Sequence, residues 1–134
     1  MNQPSRFQSV KDIMNQKMVF IDGMATAREA VEIMKREKVE ALIVKKRHQH
    51  DAYGIVVVKD IIRGVIISDR NPQEVNVFEI MTKPVISVPH DMDVRYIARL
   101  LIRADLQIAP VDDNGQYIGI ISLSTLVLNN VFFK

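Results

Sequence analysis

Val10-Lys-Asp-Ile-Met14 and Val77-Phe-Glu-Ile-Met81 open two copies of one pattern, 67 positions apart in a chain of 134 residues. The offset falls to 65 where Gly54-Ile-Val matches Gly119-Ile-Ile, so the first copy carries two extra residues in the loop before its glycine. A duplicated unit of this length predicts two related halves that pack about a pseudo-twofold axis. Halves that face each other also create clefts, which are the usual places for small ligands.

The length, charge and composition of the chain limit the classes of protein to which it can belong. A half of roughly 60 residues is marginal as an independent domain, so the two copies are expected to fold as one body. A formal net charge of +2 does not indicate a nucleic-acid-binding surface. The chain has no apolar run long enough to span a bilayer and no signal-like N-terminus, and it has no cysteine. These features predict a soluble, cytoplasmic protein that contacts neither membrane nor nucleic acid.

Hydrophobic spacing predicts the order β-α-β-β-α in the first copy. The strands are expected at 18–21, 39–44 and 53–58. Thr26 is the predicted N-cap of the first helix, with Glu29 completing a capping box. Asp60 is expected near the start of the second helix.

The second copy repeats this order after a polar linker at 68–72. Strands are predicted at 85–88, 108–111 and 117–121, with a hairpin turn at Asn114-Gly115. The helices should begin near Asp91 or Asp93 and at Ser122 or Ser124. The predicted fold class is therefore α/β, with domains at 7–68 and 74–134.

Two segments of the second copy carry a family resemblance. Ile80-Met-Thr-Lys-Pro-Val-Ile-Ser-Val88 and Ala109-Pro-Val-Asp-Asp-Asn-Gly-Gln-Tyr-Ile-Gly-Ile-Ile121 resemble the cystathionine-β-synthase (CBS) domain, which occurs in tandem pairs known as Bateman modules. The resemblance covers about 10–129. It implies two β-α-β-β-α CBS repeats packed by pseudo-twofold symmetry, and a regulatory protein that forms a homodimer. It also implies an adenosine-type regulatory ligand such as AMP, ATP or S-adenosylmethionine, with no cofactor required.

The nucleotide motif of this family is Gly-h-h-Thr/Ser-x-x-Asp, where h is hydrophobic. The hydroxyl binds phosphate at a helix N-terminus, and the carboxylate accepts hydrogen bonds from the ribose hydroxyls. Gly54-Ile-Val-Val57-Val-Lys-Asp60 keeps the carboxylate but has valine for the hydroxyl, and Lys59 is the candidate replacement as phosphate partner. Gly119-Ile-Ile-Ser122-Leu-Ser-Thr125 keeps the hydroxyl but has threonine for the carboxylate.

The resemblance implies two unequal sites, with adenine held by backbone and apolar groups of the middle strand. The ligand is expected first at the site that contains the carboxylate. The first site comprises Ala41, Leu42, Gly54, Val57, Lys59 and Asp60, and the second comprises Ile108, Ala109, Gly119, Ser122 and Thr125.

Several alternatives remain open at this point. Asp60 and Ser122 could each serve only as a helix cap. The chain could also be a protein-interaction or dimerisation module whose ligand sites have degenerated. The loop Lys45-Lys-Arg-His48, with His50 and Asp51, is expected to be solvated, with a phosphate-reaching or partner-binding role as the alternative.

The sequence has few features that are typical of an enzyme or of a metal site. His48 and His50 lack a placed third ligand, so no metal site is predicted. No phosphate-binding, dinucleotide-binding, zincin or nucleophile-elbow motif occurs, so the chain is not expected to be an enzyme. The expected partners are a second copy of the chain, an adenosine-type small molecule and an effector protein of unknown identity.

Overall fold

A computed structural model describes residues 7–133, which form two compact units. One unit is the continuous segment Val19–Val85, here called the central unit. The other joins residues 7–18 to residues 86–133 and is here called the terminal unit. The predicted domains, 7–68 and 74–134, divide the chain differently, because each sequence copy contributes its opening segment to the unit built mainly from the other copy.

Short helices and strands alternate along the chain. In chain order they are α1 (Val10–Ile13), β1 (Phe20–Ile21), α2 (Ala27–Glu37), β2 (Ala41–Val44), β3 (Gly54–Val57), α3 (Val58–Ile61) with a π-helical continuation (Ile62–Ile67), α4 (Val77–Ile80), β4 (Val88–Pro89), α5 (Val94–Arg103), β5 (Ile108–Asp113), β6 (Gln116–Ser122), α6 (Leu123–Leu128) and a 3₁₀ turn (Val131–Phe133).

Each unit contains one three-stranded mixed sheet, in the orders β1-β2-β3 and β4-β5-β6. The first two strands of each sheet are parallel and the last two are antiparallel. The hairpin at Asn114-Gly115 is confirmed, since both residues have positive φ (52° and 90°) between paired Asp113 and Gln116.

The helix starts follow the capping chemistry expected from the sequence. The Thr26 hydroxyl accepts a hydrogen bond from the Glu29 amide at 3.1 Å, so Thr26 is the N-cap of α2 as predicted. The reciprocal bond from the Thr26 amide to the Glu29 side chain, which would complete the predicted capping box, is not made in the part of the chain that the structure describes. Asp93, rather than Asp91, caps α5, and Ser122, rather than Ser124, caps α6. The second helix predicted near Asp60 is confirmed as α3 with its π-helical continuation. The sequence did not predict α1 or α4, because each is too short to show a helical period.

The core of each unit lies between its sheet and its helices. In the central unit, Ala27, Ala30 and Met34 on one face of α2 join Leu42 and Val44 in one buried cluster. In the terminal unit, the matching cluster is built by α5 and the strands, including Val94, Ile97, Leu101, Ala109 and Val111. The helical spacing of 3 and 4 residues explains why these side chains share one face.

The opening segment of each copy is fixed by a methionine that packs on a strand glycine. Met81 and Thr82 lie against Gly54 of β3, where the Thr82 and Ile55 amides exchange two hydrogen bonds of 2.9 Å. Met14 and Asn15 lie in the same way against Gly119 of β6 in the terminal unit. The repeated methionine and glycine are therefore packing partners in each unit.

Candidate ligand-binding site

The antiparallel pairing of β2 and β3 places some residues of the first predicted site next to each other. Ala41 lies opposite Val57 at the end of β3, and Asp60 follows within the first turn of α3. Leu42 was predicted to contact the ligand, but the whole residue is buried in the core and is not exposed to a ligand. Gly54 pairs with Val44 at the other end of the strands, and its lack of a side chain makes room for Met81.

Asp60 is half-buried and is held in place by the backbone. Its Oδ2 atom accepts a hydrogen bond from the Val57 amide at 2.8 Å. Burial raises the pKa of the Asp60 carboxyl, against the opposing effects of the Val57 hydrogen bond and of Arg63. A cavity of about 230 Å³ adjoins this carboxyl and is lined also by Arg63, Gly64, Glu79 and Ile80.

The hydrogen bond to Val57 leaves most of the accepting capacity of Asp60 unused. An ionised carboxylate has two oxygens and about four lone-pair positions, of which this bond takes one. The side chain can therefore cap α3 and still accept hydrogen bonds from a diol. Lys59 is half-buried and belongs to the same turn of α3.

The second predicted site is built from neutral hydroxyls. Ile108 lies opposite Ser122, whose hydroxyl accepts from the Thr125 amide at 3.1 Å and caps α6. The Ser122 and Thr125 hydroxyl oxygens are also 2.9 Å apart, so the two groups are hydrogen bonded to each other. Ala109 is fully buried, and Gly119 makes room for Met14. The register therefore brings together Ile108, Ser122 and Thr125 and assigns Gly119 to packing.

A larger cavity, which the sequence pattern does not predict, lies elsewhere in the central unit. Its volume is about 370 Å³, and Asp51 contributes to its wall. Asp51 was expected in a solvated loop, but its side chain is only 9% exposed and accepts from Lys83 Nζ at 2.7 Å. The two extra residues of the loop between β2 and β3 are the sequence feature that could have indicated this cavity.

No group of three or more potential metal ligands occurs among residues 7–133. Within the same range, no helix is long and apolar enough to cross a membrane.

The comparisons with known proteins assign the family. The CBS domain model matches this chain twice, at residues 10–67 and 77–129. The chain belongs to the CBS domain family. The two matches coincide with the two copies of the sequence pattern, and the two mixed sheets with their helices are the fold of this family.

Solved structures of CBS-domain proteins are similar in sequence and in fold. The hexameric CBS-CP12 protein from bloom-forming cyanobacteria is 38% identical with a TM-score of 0.89, covering 94% of this chain and 73% of that chain. The CBS domain protein TA0289 of Thermoplasma acidophilum is 32% identical with a TM-score of 0.81, covering 90% of this chain and 67% of that chain.

Curated relatives are more distant. The CBS domain-containing protein YhcV of Bacillus subtilis is 26% identical over 123 residues, covering 92% of this chain and 86% of its own. The uncharacterized protein MK0525 of Methanopyrus kandleri is 28% identical over 123 residues, and this chain spans 62% of its length. Homologues built of CBS domains are typically regulatory rather than catalytic.

Proposed function

We propose that this CBS-domain protein is a cytoplasmic regulator that binds an adenosine-type ligand and transmits the binding energy to an effector protein. The ligand class comprises AMP, ATP and S-adenosylmethionine. The observation that carries the proposal is the Asp60 carboxylate, held at the end of β3 with one oxygen engaged and with accepting capacity to spare.

The chemistry around Asp60 suits a nucleoside with a negatively charged substituent. The carboxylate would accept hydrogen bonds from the two ribose hydroxyls, and each charge-assisted bond contributes about 1.5–3 kcal/mol. Lys59, on the same turn, would contact the charged substituent. Ala41, across from Val57, would contact the adenine.

The site in the terminal unit is the weaker of the two in this proposal. Ser122 offers a hydroxyl to a phosphate, but Thr125 offers no charge to a diol, and the two hydroxyls already bond to each other. A neutral hydrogen bond is roughly half as strong as a charge-assisted one. We therefore expect the ligand to occupy the Asp60 site first.

The protein is proposed to act as a homodimer. The central unit exposes Ile66 and Ile67 at 67% and 73%, and the terminal unit exposes Leu128 and Phe133 at 75% and 72%. Exposed apolar patches of this kind mark association surfaces, because water-exposed apolar area favours burial. The CBS-CP12 relative is described as hexameric, which supports association as a property of such pairs. Sedimentation at micromolar concentration should show a dimer, and a monomer would contradict this part of the proposal.

Thermal unfolding with and without candidate ligands tests the binding proposal. AMP, ATP, NAD and S-adenosylmethionine would each be added, with inorganic phosphate as the control for a bare anion. A ligand at 100 times its Kd stabilises the folded state by about 2.7 kcal/mol, which is a measurable rise in Tm. If no adenosine compound raised the Tm, the protein would instead be an interaction module with degenerate sites.

A further inference from the structure

The larger cavity of the central unit has the size and the wall of a small-molecule site. Its volume of about 370 Å³ lies within the range of ligand pockets, at the small end. Val44, Met81, Met24 and Phe78 supply the apolar part of the wall. Met24 and Phe78 are 70% and 49% exposed, so an occupant would cover apolar surface that now faces water.

The charged lining residues give the cavity a net positive formal charge. Lys45, Arg47 and Lys83 are cationic, and Asp22 and Asp51 are anionic, which leaves one formal positive charge. Asp51 is already shared between two of the cations, with Lys83 Nζ at 2.7 Å and Arg47 Nε at 3.5 Å. Among residues 7–133, Lys45 makes no ion pair with an acidic side chain, so its charge is available to a ligand.

Asp51 also fixes the shape of the cavity wall. Its Oδ2 atom accepts from the Arg47 amide at 2.9 Å, which closes the loop between β2 and β3 on itself. The bond from Lys83, together with the Val85 amide donating to the Tyr53 carbonyl at 2.9 Å, ties that loop to the segment after α4. The cations are therefore presented by a loop with a defined conformation, which lowers the entropic cost of binding.

This cavity is separate from the Asp60 site. Val44 and Gly54 pair at the end of the β2–β3 hairpin that carries the loop, whereas Ala41 and Val57 pair at the end next to Asp60. The two pairs are three residue positions apart along each strand, which is about 10 Å. Asp60 does not line the larger cavity, and none of the cavity's charged residues lines the cavity beside Asp60.

We propose that this cavity is a second ligand site, which binds a small apolar molecule carrying one acidic group, either a carboxylate or a phosphate. The acidic group contacts Lys45 and the Arg47 guanidinium, which can pair with either oxyanion in a bidentate manner. The apolar body lies against Val44, Met81 and Phe78. Neither the small volume nor the single positive charge is suited to a nucleoside triphosphate.

Methionine-methyl NMR of the full chain can locate binding directly. Met24 and Met81 line the cavity, Met34 is buried in the core of the same unit, and Met92 lies in the terminal unit. Phenyl phosphate and benzoate are the two probes, and phenol is the neutral control. We expect each anionic probe to shift the Met24 and Met81 signals with saturation, leaving Met34 and Met92 unchanged. The tighter of the two probes identifies the acidic group.

Charge variants test whether the cations recognise the probe. Lys45→Ala combined with Arg47→Ala should weaken binding of the tighter probe by about tenfold or more, as expected for the loss of charge-assisted hydrogen bonds. Lys46→Ala is the matched control, because Lys46 is in the same loop and contacts Tyr53 but does not line the cavity, and it should change binding by less than about twofold. Unchanged Met34 and Met92 signals verify that each variant is folded.

Three results would overturn the proposal. The first is the absence of any shift at Met24 and Met81 with both anionic probes at millimolar concentration. The second is binding of phenol as tight as that of the anionic probes. The third is unchanged affinity in the folded double variant. Salt provides an independent check in the unmodified chain, because binding that depends on exposed cations must weaken as ionic strength rises.

Discussion

The two units share a scaffold but differ at the two ends of their sheets. At the end of the last strand, the central unit has Val57 and Asp60 where the terminal unit has Ser122 and Thr125. Both pairs cap the following helix, but only the central unit does so with a carboxylate. At this position the central unit therefore has a carboxylate, while in the terminal unit two neutral hydroxyls hydrogen bond to each other.

The loop between the last two strands also differs. In the terminal unit it is a tight turn at Asn114-Gly115 that extends the hairpin to Asp113 and Gln116. In the central unit the loop after Val44 is longer, and its Asp51 is drawn inward by Lys83. The longer loop of the central unit therefore forms part of a cavity wall, whereas the terminal unit continues the pairing of its last two strands.

Each unit has a strand glycine that packs against a methionine, so the effect of the same glycine-to-alanine substitution can be compared in the two units. A Cβ atom at Gly119 would lie 2.5 Å from Met14 Sδ and 2.8 Å from the Asn15 carbonyl oxygen. A Cβ atom at Gly54 would lie 2.9 Å from Met81 Sδ and 3.2 Å from the Thr82 carbonyl oxygen. We expect Gly119→Ala to lower the free energy of unfolding by about 3 kcal/mol and Gly54→Ala by about 1–2 kcal/mol, from overpacking.

Urea unfolding of the two variants measures this difference. Gly23→Ala is the control, since its Cβ atom would meet only ordinary contacts of 3.5 Å, and it should change stability by less than about 0.5 kcal/mol. If Gly119→Ala were as stable as Gly23→Ala, the close approach of Asn15 to Gly119 would not exist in solution.

The sequence predicted the parts of this fold that repeat or that follow local rules. Periodicity located α2, α5 and five of the six strands, and capping chemistry placed Thr26 and the Asp60 turn correctly. The strand predicted at 85–88 was misplaced, since β4 is Val88–Pro89. It did not reveal that the segment containing Met14 packs on Gly119, because that contact joins residues far apart in the chain. It also assigned Asp51 to solvent, since the ion pair with Lys83 depends on tertiary structure. The ligand roles of Asp60 and Ser122 stay predictions.

The contributions of Asp93 and Asp60 to the stability of the folded protein should depend on pH in opposite ways. Hydrogen bonds from the Arg95 side chain and amide lower the pKa of Asp93 in the terminal unit, whereas burial raises the pKa of Asp60 in the central unit. A carboxyl with a lowered folded-state pKa contributes stability above its unfolded pKa and loses it as pH falls through the folded pKa. A carboxyl with a raised folded-state pKa gains stability as pH falls through that pKa toward the unfolded value.

Asparagine variants isolate these effects, because asparagine keeps a capping oxygen without the charge. We expect Asp93→Asn to be less stable than wild type at pH 7, by about 1 kcal/mol or less, and to approach wild type as pH falls below 4. The stability of wild type relative to Asp60→Asn should instead rise as pH falls from 7 toward 4. Parallel pH dependence of the two variants would contradict the assigned environments.

Calorimetric titration of the unmodified chain, Asp60→Ala and Ser122→Ala with AMP, ATP and S-adenosylmethionine tests the central claim most directly. Asp60→Ala should weaken the tightest of these ligands by about tenfold, or about 1.4 kcal/mol, because the ribose loses a charged acceptor. Ser122→Ala should weaken the same ligand by less than about threefold, because that hydroxyl is neutral and already paired with Thr125. Loss of binding in Ser122→Ala with unchanged affinity in a folded Asp60→Ala variant would show that the terminal unit, not the central unit, holds the ligand.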